Sequence, residues 1–126
     1  ITPTATSSKI YISGFVSIGF DTSESIWYKL MKGGSAISGA TGDQVGSNRT
    51  RSTTGTYMKG DSWAIQAIPI NYLDTAGSTS ALTYTVGFGQ FSDSNKTLYI
   101  NSPANTTDSA SYPTLVSVLT AMEVSA

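Results

Sequence analysis

The sequence predicts an all-β, antiparallel fold, a sandwich or barrel of short strands. Three observations carry this. Apolar and polar residues alternate at period two through most of the chain, the signature of half-buried strands. Turn-forming clusters of Gly, Asp, Asn and Ser separate the alternating runs, leaving seven or eight strands. Ser and Thr make up roughly 30% of the 126 residues and twelve more are Gly, a composition that suits strands and polar turns better than helices. The one stretch with fair helix formers, Ser117–Glu123, is rich in β-branched neighbours and reads as strand.

The elements follow in order. Ile1–Ser8, with Pro3, is a polar lead-in. Lys9–Phe20 places Ile10, Ile12, Val16, Ile18 and Phe20 on one parity, with Gly14 interrupting them. Asp21–Ser25 is a turn. Ser25–Lys32 alternates Ile26, Tyr28 and Leu30 against Trp27, Lys29 and Met31, so both faces of this strand have apolar bulk to cover. Gly33-Gly34 permits positive φ at both central positions of a tight hairpin, which returns through Ser35–Ser38. Gly39–Thr50 is a long polar loop, and Arg51–Met58 an exposed strand. Trp63–Tyr72 alternates again, and Pro69 within it points to a sheet edge because proline cannot donate to the ladder. Trp63 and Tyr84 are expected in the core. Asp74–Ser80 reads as a turn and Ala81–Phe91 as the clearest strand, with Leu82, Tyr84, Val86 and Phe88 on one face. Ser92–Lys96 is a turn, Thr97–Ile100 a short strand and Asn101–Pro113 a long polar loop. Thr114–Val124 closes the fold, with Val116, Val118, Met122 and Val124 on one parity.

Length and mass, 126 residues and 13.2 kDa, fit a single domain over residues 1–126. The sequence opens at Ile1 rather than at Met, and the expectation is the C-terminal part of a longer chain. No cysteine and no histidine are present, which removes disulfides, thiolate and imidazole metal sites, cysteine nucleophiles and Ser-His-Asp triads. Charged residues are 12% and the net charge is −1, so no basic footprint suits nucleic acid or anionic lipid. No apolar run is long enough to span a membrane.

Of the eight carboxylates, Asp21 and Glu24 share a turn and Asp43, Asp61, Asp74, Asp93 and Asp108 sit singly in loops, where Asp serves Asx-turns, and a non-enzyme is expected. Calcium, which takes oxygen ligands alone, is the metal least affected by the missing residues. Asp93-Ser94-Asn95 and Asp21-Thr22-Ser23-Glu24 cluster oxygens, yet neither matches a calcium loop, and no metal is expected. Ser7-Ser8-Lys9 lacks the Ser-x-x-Lys spacing of Ser–Lys nucleophiles. Acceptor sequons stand at Asn48, Asn95 and Asn105. Tyr57, Tyr72 and Tyr112 fall near strand ends or loops, where a rigid amphipathic ring suits carbohydrate or protein contact.

Four stretches, in order along nearly the whole chain, resemble a domain family in virion proteins of tailed phages, especially those of marine and freshwater bacteria. They are Ile1-Thr2-Pro3 through Ser7-Ser8-Lys9-Ile10, the hairpin Tyr28–Ile37, the run from Tyr72-Leu73-Asp74 to Tyr84-Thr85-Val86, and Tyr99-Ile100-Asn101 with the ending Met122-Glu123-Val124. Ala76-Gly77 stands where the family pattern has a proline, and family members often carry a further strand ahead of the opening segment. The resemblance implies a jelly-roll-like sandwich, a homotrimer, no cofactor and no catalytic residues. It implies a place on the virion, as the head of a tail fibre or spike that binds the host surface, or as a capsid decoration (cement) protein holding other virion proteins. On that reading the long loops contact a host glycan or protein, with Asn48, Arg49, Tyr72, Asn105 and Tyr112 as candidate ligand contacts. The second apolar face formed by Tyr11, Phe15, Trp27 and Met31, beside Lys9, is the candidate subunit interface.

Overall fold

The computed structural model describes residues 1–90 and 96–124. Among them, eight strands and one short turn of 3-10 helix follow in chain order. They are β1 Lys9–Phe20, β2 Glu24–Lys32, β3 Ser35–Ala36, the 3-10 turn Ser38–Ala40, β4 Thr54–Met58, β5 Ile65–Thr75, β6 Tyr84–Gln90, β7 Leu98–Ile100 and β8 Val118–Val124. Every pairing is antiparallel, and the strands form two sheets. In sheet A, β1 is central; β5 lies along one side, and β7 and β8 lie end to end along the other. In sheet B, β2 is central, with β6 on one side and β3 and β4 on the other. The turn at 21–23 thus carries the chain from the middle of one sheet to the middle of the other. The two sheets close on a shared core as an antiparallel β-sandwich, the fold class the alternation predicts.

The core is the predicted parity made solid. Ile10, Ile12, Val16, Ile18 and Phe20 of β1 are buried, facing Ile26, Tyr28 and Leu30 of β2, with Ile68 and Ile70 of β5 and Met58 of β4 at one side. Each fully buried side chain of this size contributes about 1.5–3 kcal/mol. Gly14 keeps the parity at its one gap. Its φ is +146°, and a Cβ there would lie 1.9 Å from the Val118 carbonyl oxygen, so β8 approaches β1 only because this residue has no side chain. Gly33 and Gly34 both adopt positive φ, 57° and 81°, and turn β2 into β3 as their pairing predicts. Pro69 lies on β5, which pairs with β1 alone, the edge position expected of it.

Several boundaries differ from the sequence reading. Trp63 lies outside β5 and is 62% exposed, not in the core. Asp61 removes it from the strand: the Trp63 amide donates to Asp61 Oδ1 (3.1 Å) and the Ala64 amide to the Asp61 carbonyl (2.9 Å), an Asx-type turn. Tyr84, by contrast, packs against the core from the start of β6. Residues 51–53 precede β4, although Thr53 is tied to β2 through Thr53 N to Tyr28 O (2.7 Å) and Leu30 N to Thr53 Oγ1 (2.9 Å). The end of the expected Ala81–Phe91 strand, at Phe91, lies outside the described residues.

The largest revision concerns Asp74. It is no turn residue: β5 continues through Thr75, and Asp74 sits on the inward parity, buried. Asp74 Oδ2 accepts from Lys32 Nζ of β2 (2.6 Å) and from Tyr84 Oη of β6 (2.7 Å). Lys32 Nζ also donates to the Thr75 carbonyl (2.9 Å). One carboxylate of sheet A therefore ties both neighbouring strands of sheet B. Two further bonds join the sheets on the same side, Tyr28 Oη to Pro69 O and Thr56 Oγ1 to Gln66 Oε1, both 2.8 Å. The lead-in 1–8 covers this end of the sandwich, pairing with residues 76–82 through Ala76 N to Ser8 O (2.9 Å), Gly77 N to Thr6 O (2.9 Å) and Leu82 N to Ile1 O (2.8 Å).

Candidate functional site

At the opposite end of the sandwich, the loop between β7 and β8 folds back on itself and forms a cleft. Its root is held tightly. Asn101, at φ 62°, donates its amide to Ser17 O of β1 (2.9 Å), and its carbonyl accepts from Leu115 N (2.8 Å) where the chain returns. Ser117 Oγ donates to Asn101 Oδ1, while Ser17 Oγ donates to Val116 O (2.8 Å). Ser102 and Pro103 rest on Gly19, where an added Cβ would lie 2.3 Å from the Ser102 carbonyl oxygen. The loop is therefore seated on the central strand of sheet A.

Local turns then shape it. Thr107 N donates to Asn105 Oδ1 (3.0 Å) and Tyr112 N to Ser109 O (3.0 Å). Asn105 N reaches across to Ser62 O (2.8 Å), which brings the loop against the 61–64 turn. The Trp63 and Tyr112 rings meet edge to face there, with centroids 5.7 Å apart at 88°. Inside the loop lies a cleft of about 250 Å³ lined by Ser102, Asn105, Thr106, Thr107, Asp108, Ser109, Thr114 and the rings of Pro103, Tyr112 and Pro113. Its lining is hydroxyl-rich and almost uncharged, with Asp108 the one ionisable carboxylate in it. The chemistry of such a surface suits a neutral, hydrogen-bonding group with an apolar side to lay on an aromatic ring.

The five candidate ligand contacts fall in three places. Asn105 and Tyr112 share this cleft. Asn48 and Arg49 are exposed on the 39–53 loop beside β2, which is organised by its own bonds: Gln44 Nε2 to Gly46 O (2.6 Å) and Arg49 O (3.1 Å), and Arg51 Nε to Gly42 O (2.7 Å). Tyr72 is a strand residue of β5, not a loop residue, and its ring lies at the hairpin end of the sandwich. There it helps line a hollow of about 340 Å³ with Lys32, Ser35, Ile37, Gly39 and Asp74. The charges in that hollow already satisfy each other, and its groups act as a joint between sheets. Trp63, expected inside, is the aromatic missing from the candidate set; the Asp61-Ser62 turn signal before it is what marks it as outward.

The four candidate interface residues also divide. Tyr11 and Phe15 lie on the outer face of sheet A, Trp27 and Met31 on the outer face of sheet B. They belong to opposite sides of the sandwich and form no single face. The oxygen cluster Asp93–Asn95, which includes the Asn95 sequon position, lies outside the described residues. Asn48 and Asn105, the other two sequon positions, stand on the loops described above.

Among the described residues, three titrating groups respond to their surroundings. Burial, then the hydrogen bond to Asp74 and the charge of that carboxylate, push the Tyr84 phenol well above its ordinary range. Burial alone raises Tyr28. At the hairpin end, the neighbouring Ser8 hydroxyl and then Thr4, through Oγ1 (2.7 Å) and N (2.8 Å) to Glu123 Oε1, hold the Glu123 carboxyl below the usual carboxylate range. None of these groups lines the cleft of the 101–115 loop. Comparison of the chain with protein-family models, with characterised proteins and with solved structures found no match.

Proposed function

We propose that this chain is a non-catalytic binding module on the surface of a tailed-phage virion, the head domain of a tail fibre or spike, and that it holds a host-surface glycan in the cleft of the 101–115 loop. The observation that carries the reading is the edge-to-face pair of exposed Trp63 and half-buried Tyr112 beside a neutral cleft rich in hydroxyl groups. A sugar offers an apolar C–H face for stacking and a rim of hydroxyls for hydrogen bonds, so it needs both features side by side. Asp108 alone among the cleft residues has a carboxylate, whereas glycosidic cleavage uses two, so the reading is binding without turnover. The virion setting comes from the resemblance in the four stretches described above.

The test is an array of bacterial surface polysaccharides probed with the wild-type chain, Trp63→Ala and Tyr112→Ala. The expected outcome is binding to a neutral glycan that each substitution weakens at least about tenfold, as loss of an aromatic anchor does. Wild-type protein that binds no glycan, or binding indifferent to both substitutions, sinks the reading.

The apolar outer face of sheet A favours a second reading, a capsid decoration protein working by protein–protein contact. Gold-labelled antibody on intact particles separates the two: label on the tail or its fibres supports host recognition, and label over the head supports decoration.

A further inference from the structure

We propose that Asn101 is the positioning residue of the cleft, holding the 102–114 loop in its binding shape before any ligand arrives. The sheet register shows why one residue can do this. β7 ends with Ile100 opposite Ile18, and β8 begins with Val118 opposite Phe15. The two strands lie along one line beside β1, and the loop is an excursion from that line. Val16 and Ser17 face the gap between them. The backbone of Ser17 has no strand to pair with there, and buried backbone groups need partners. Asn101 and Ser117, which flank the excursion, supply them: Asn101 N donates to Ser17 O (2.9 Å), and Ser17 N donates to Ser117 Oγ (3.0 Å).

Asn101 also closes the neck of the loop. Its carbonyl accepts from Leu115 N (2.8 Å), and its Oδ1 accepts from Ser117 Oγ. The Ser117 hydroxyl thus accepts from β1 and donates to Asn101, so both of its roles are used. Ser17, 6% exposed, donates its own hydroxyl to Val116 O (2.8 Å). This geometry needs a left-handed backbone at Asn101, φ 62°, and among the described residues Asn101 is the one non-glycine with positive φ. Glycine adopts that conformation more easily but has no oxygen to offer Ser117. Asparagine supplies both.

Every residue lining the cleft lies between Asn101 and Leu115, and Asn101 is not one of them. The shape of the cleft is therefore the shape of a loop whose neck this residue closes. Beyond the neck, Asn105 N to Ser62 O (2.8 Å) and the Trp63–Tyr112 contact set the loop against the 61–64 turn. Both contacts depend on where the neck aims the chain. A loop ordered in advance spares a ligand the entropy of ordering it. Asn101 acts on affinity through Asn105 and Tyr112, without lining the cleft itself. Its effect on glycan affinity rests on the proposed function; its hold on the loop does not.

Hydrogen exchange of the whole chain, read amide by amide by NMR, tests the hold on the loop. Calorimetry with the neutral polysaccharide that binds on the array tests the effect on affinity. Asn101→Gly keeps the left-handed backbone and removes Oδ1, Ser117→Ala removes the same bond from the other side, and Asn101→Asp keeps the acceptor. Tyr28→Phe, which loses the bond to Pro69 O (2.8 Å) between the sheets, is the control for general destabilisation. The expected result is at least about tenfold faster exchange at Asn105, Tyr112 and Leu115 in Asn101→Gly and Ser117→Ala, with wild-type exchange in Asn101→Asp and in the control. Polysaccharide affinity should fall at least about tenfold in the first two and hold in the others. Loop amides that exchange at the wild-type rate in Asn101→Gly, or at the rate of an unstructured peptide in the wild type itself, overturn the proposal. So does a loosened loop with unchanged affinity. A wild-type chain that binds no polysaccharide removes the proposed function instead, and the exchange rates alone then decide whether Asn101 positions the loop.

Discussion

On sheet B, the large outward residues lie down on their own sheet. The Trp27 ring rests on Gly89, directly opposite it in β6, so closely that a Cβ there would fall 2.1 Å from the ring. Met31 covers Gly87, and Lys29 Nζ sits 5.5 Å from the Trp27 ring centroid. On sheet A, Leu73, Tyr11 and Met122 have side chains on every strand neighbour and stand side by side instead. The two faces start from the same alternation of apolar residues on β1 and β2. Glycines on the adjacent strand decide the difference: where they flank a large side chain it folds over and finishes the surface, and where they are absent the surface stays open for contact.

The contrast can be broken most severely at Gly14. Gly14→Ala puts a methyl group into the Val118 carbonyl at a positive φ, and β8 has to move away from β1. A loss of about 3 kcal/mol or more is expected in urea unfolding, because β8 loses its pairing with β1. Next comes Gly89→Val, which drives the Trp27 ring off its seat and makes sheet B resemble sheet A. Unfolding should register about 2 kcal/mol of destabilisation, and the tryptophan emission should shift to longer wavelength.

Tyr84→Phe touches the joint beneath both faces and leaves each surface intact. It should cost about 1 kcal/mol at neutral pH for the hydrogen bond to Asp74. The folded-state phenol is held above its unfolded value of about 10. Its contribution is therefore complete below about pH 10 and declines as pH rises beyond that, so the variant should show a shallower alkaline loss of stability. The smallest effect is expected from Lys29→Ala, about 0.5 kcal/mol, because the cation lies over a half-exposed ring. A double substitution with Trp27→Ala would show whether that half kilocalorie belongs to the pair.

The fold was legible where local rules suffice. The parity of Ile10 through Phe20, the Gly33-Gly34 turn and the edge placement of Pro69 follow from period, φ and a missing N–H, all properties of neighbouring residues. What escaped depends on residues far apart in the chain. Asp74 reads as a turn residue until Lys32 and Tyr84 arrive from two other strands to satisfy it. Trp27 and Tyr11 alternate alike, and nothing local says that their strands belong to different sheets. Trp63 fitted the alternation of the strand that follows, but the side chain of Asp61 competed for its amide and won. Within the cleft, the polar loop containing Asn105 and Tyr112 was recognisable by composition, while its contact with Ser62 and Trp63 was not.

The place of β1 has a consequence for how the chain is made. Lys9 pairs with Val124, and Thr4 holds Glu123, so β1 is completed by a strand made more than a hundred residues after it. Until then Ile10, Ile12, Ile18 and Phe20 have no finished sheet around them. A nascent chain of this fold carries an apolar strand while the next hundred residues are made, and folding of this domain has to wait for its distant partner. Stalling translation before residue 118 should leave β1 accessible to protease and to chaperones, and emergence of residues 118–124 should protect it in a single step.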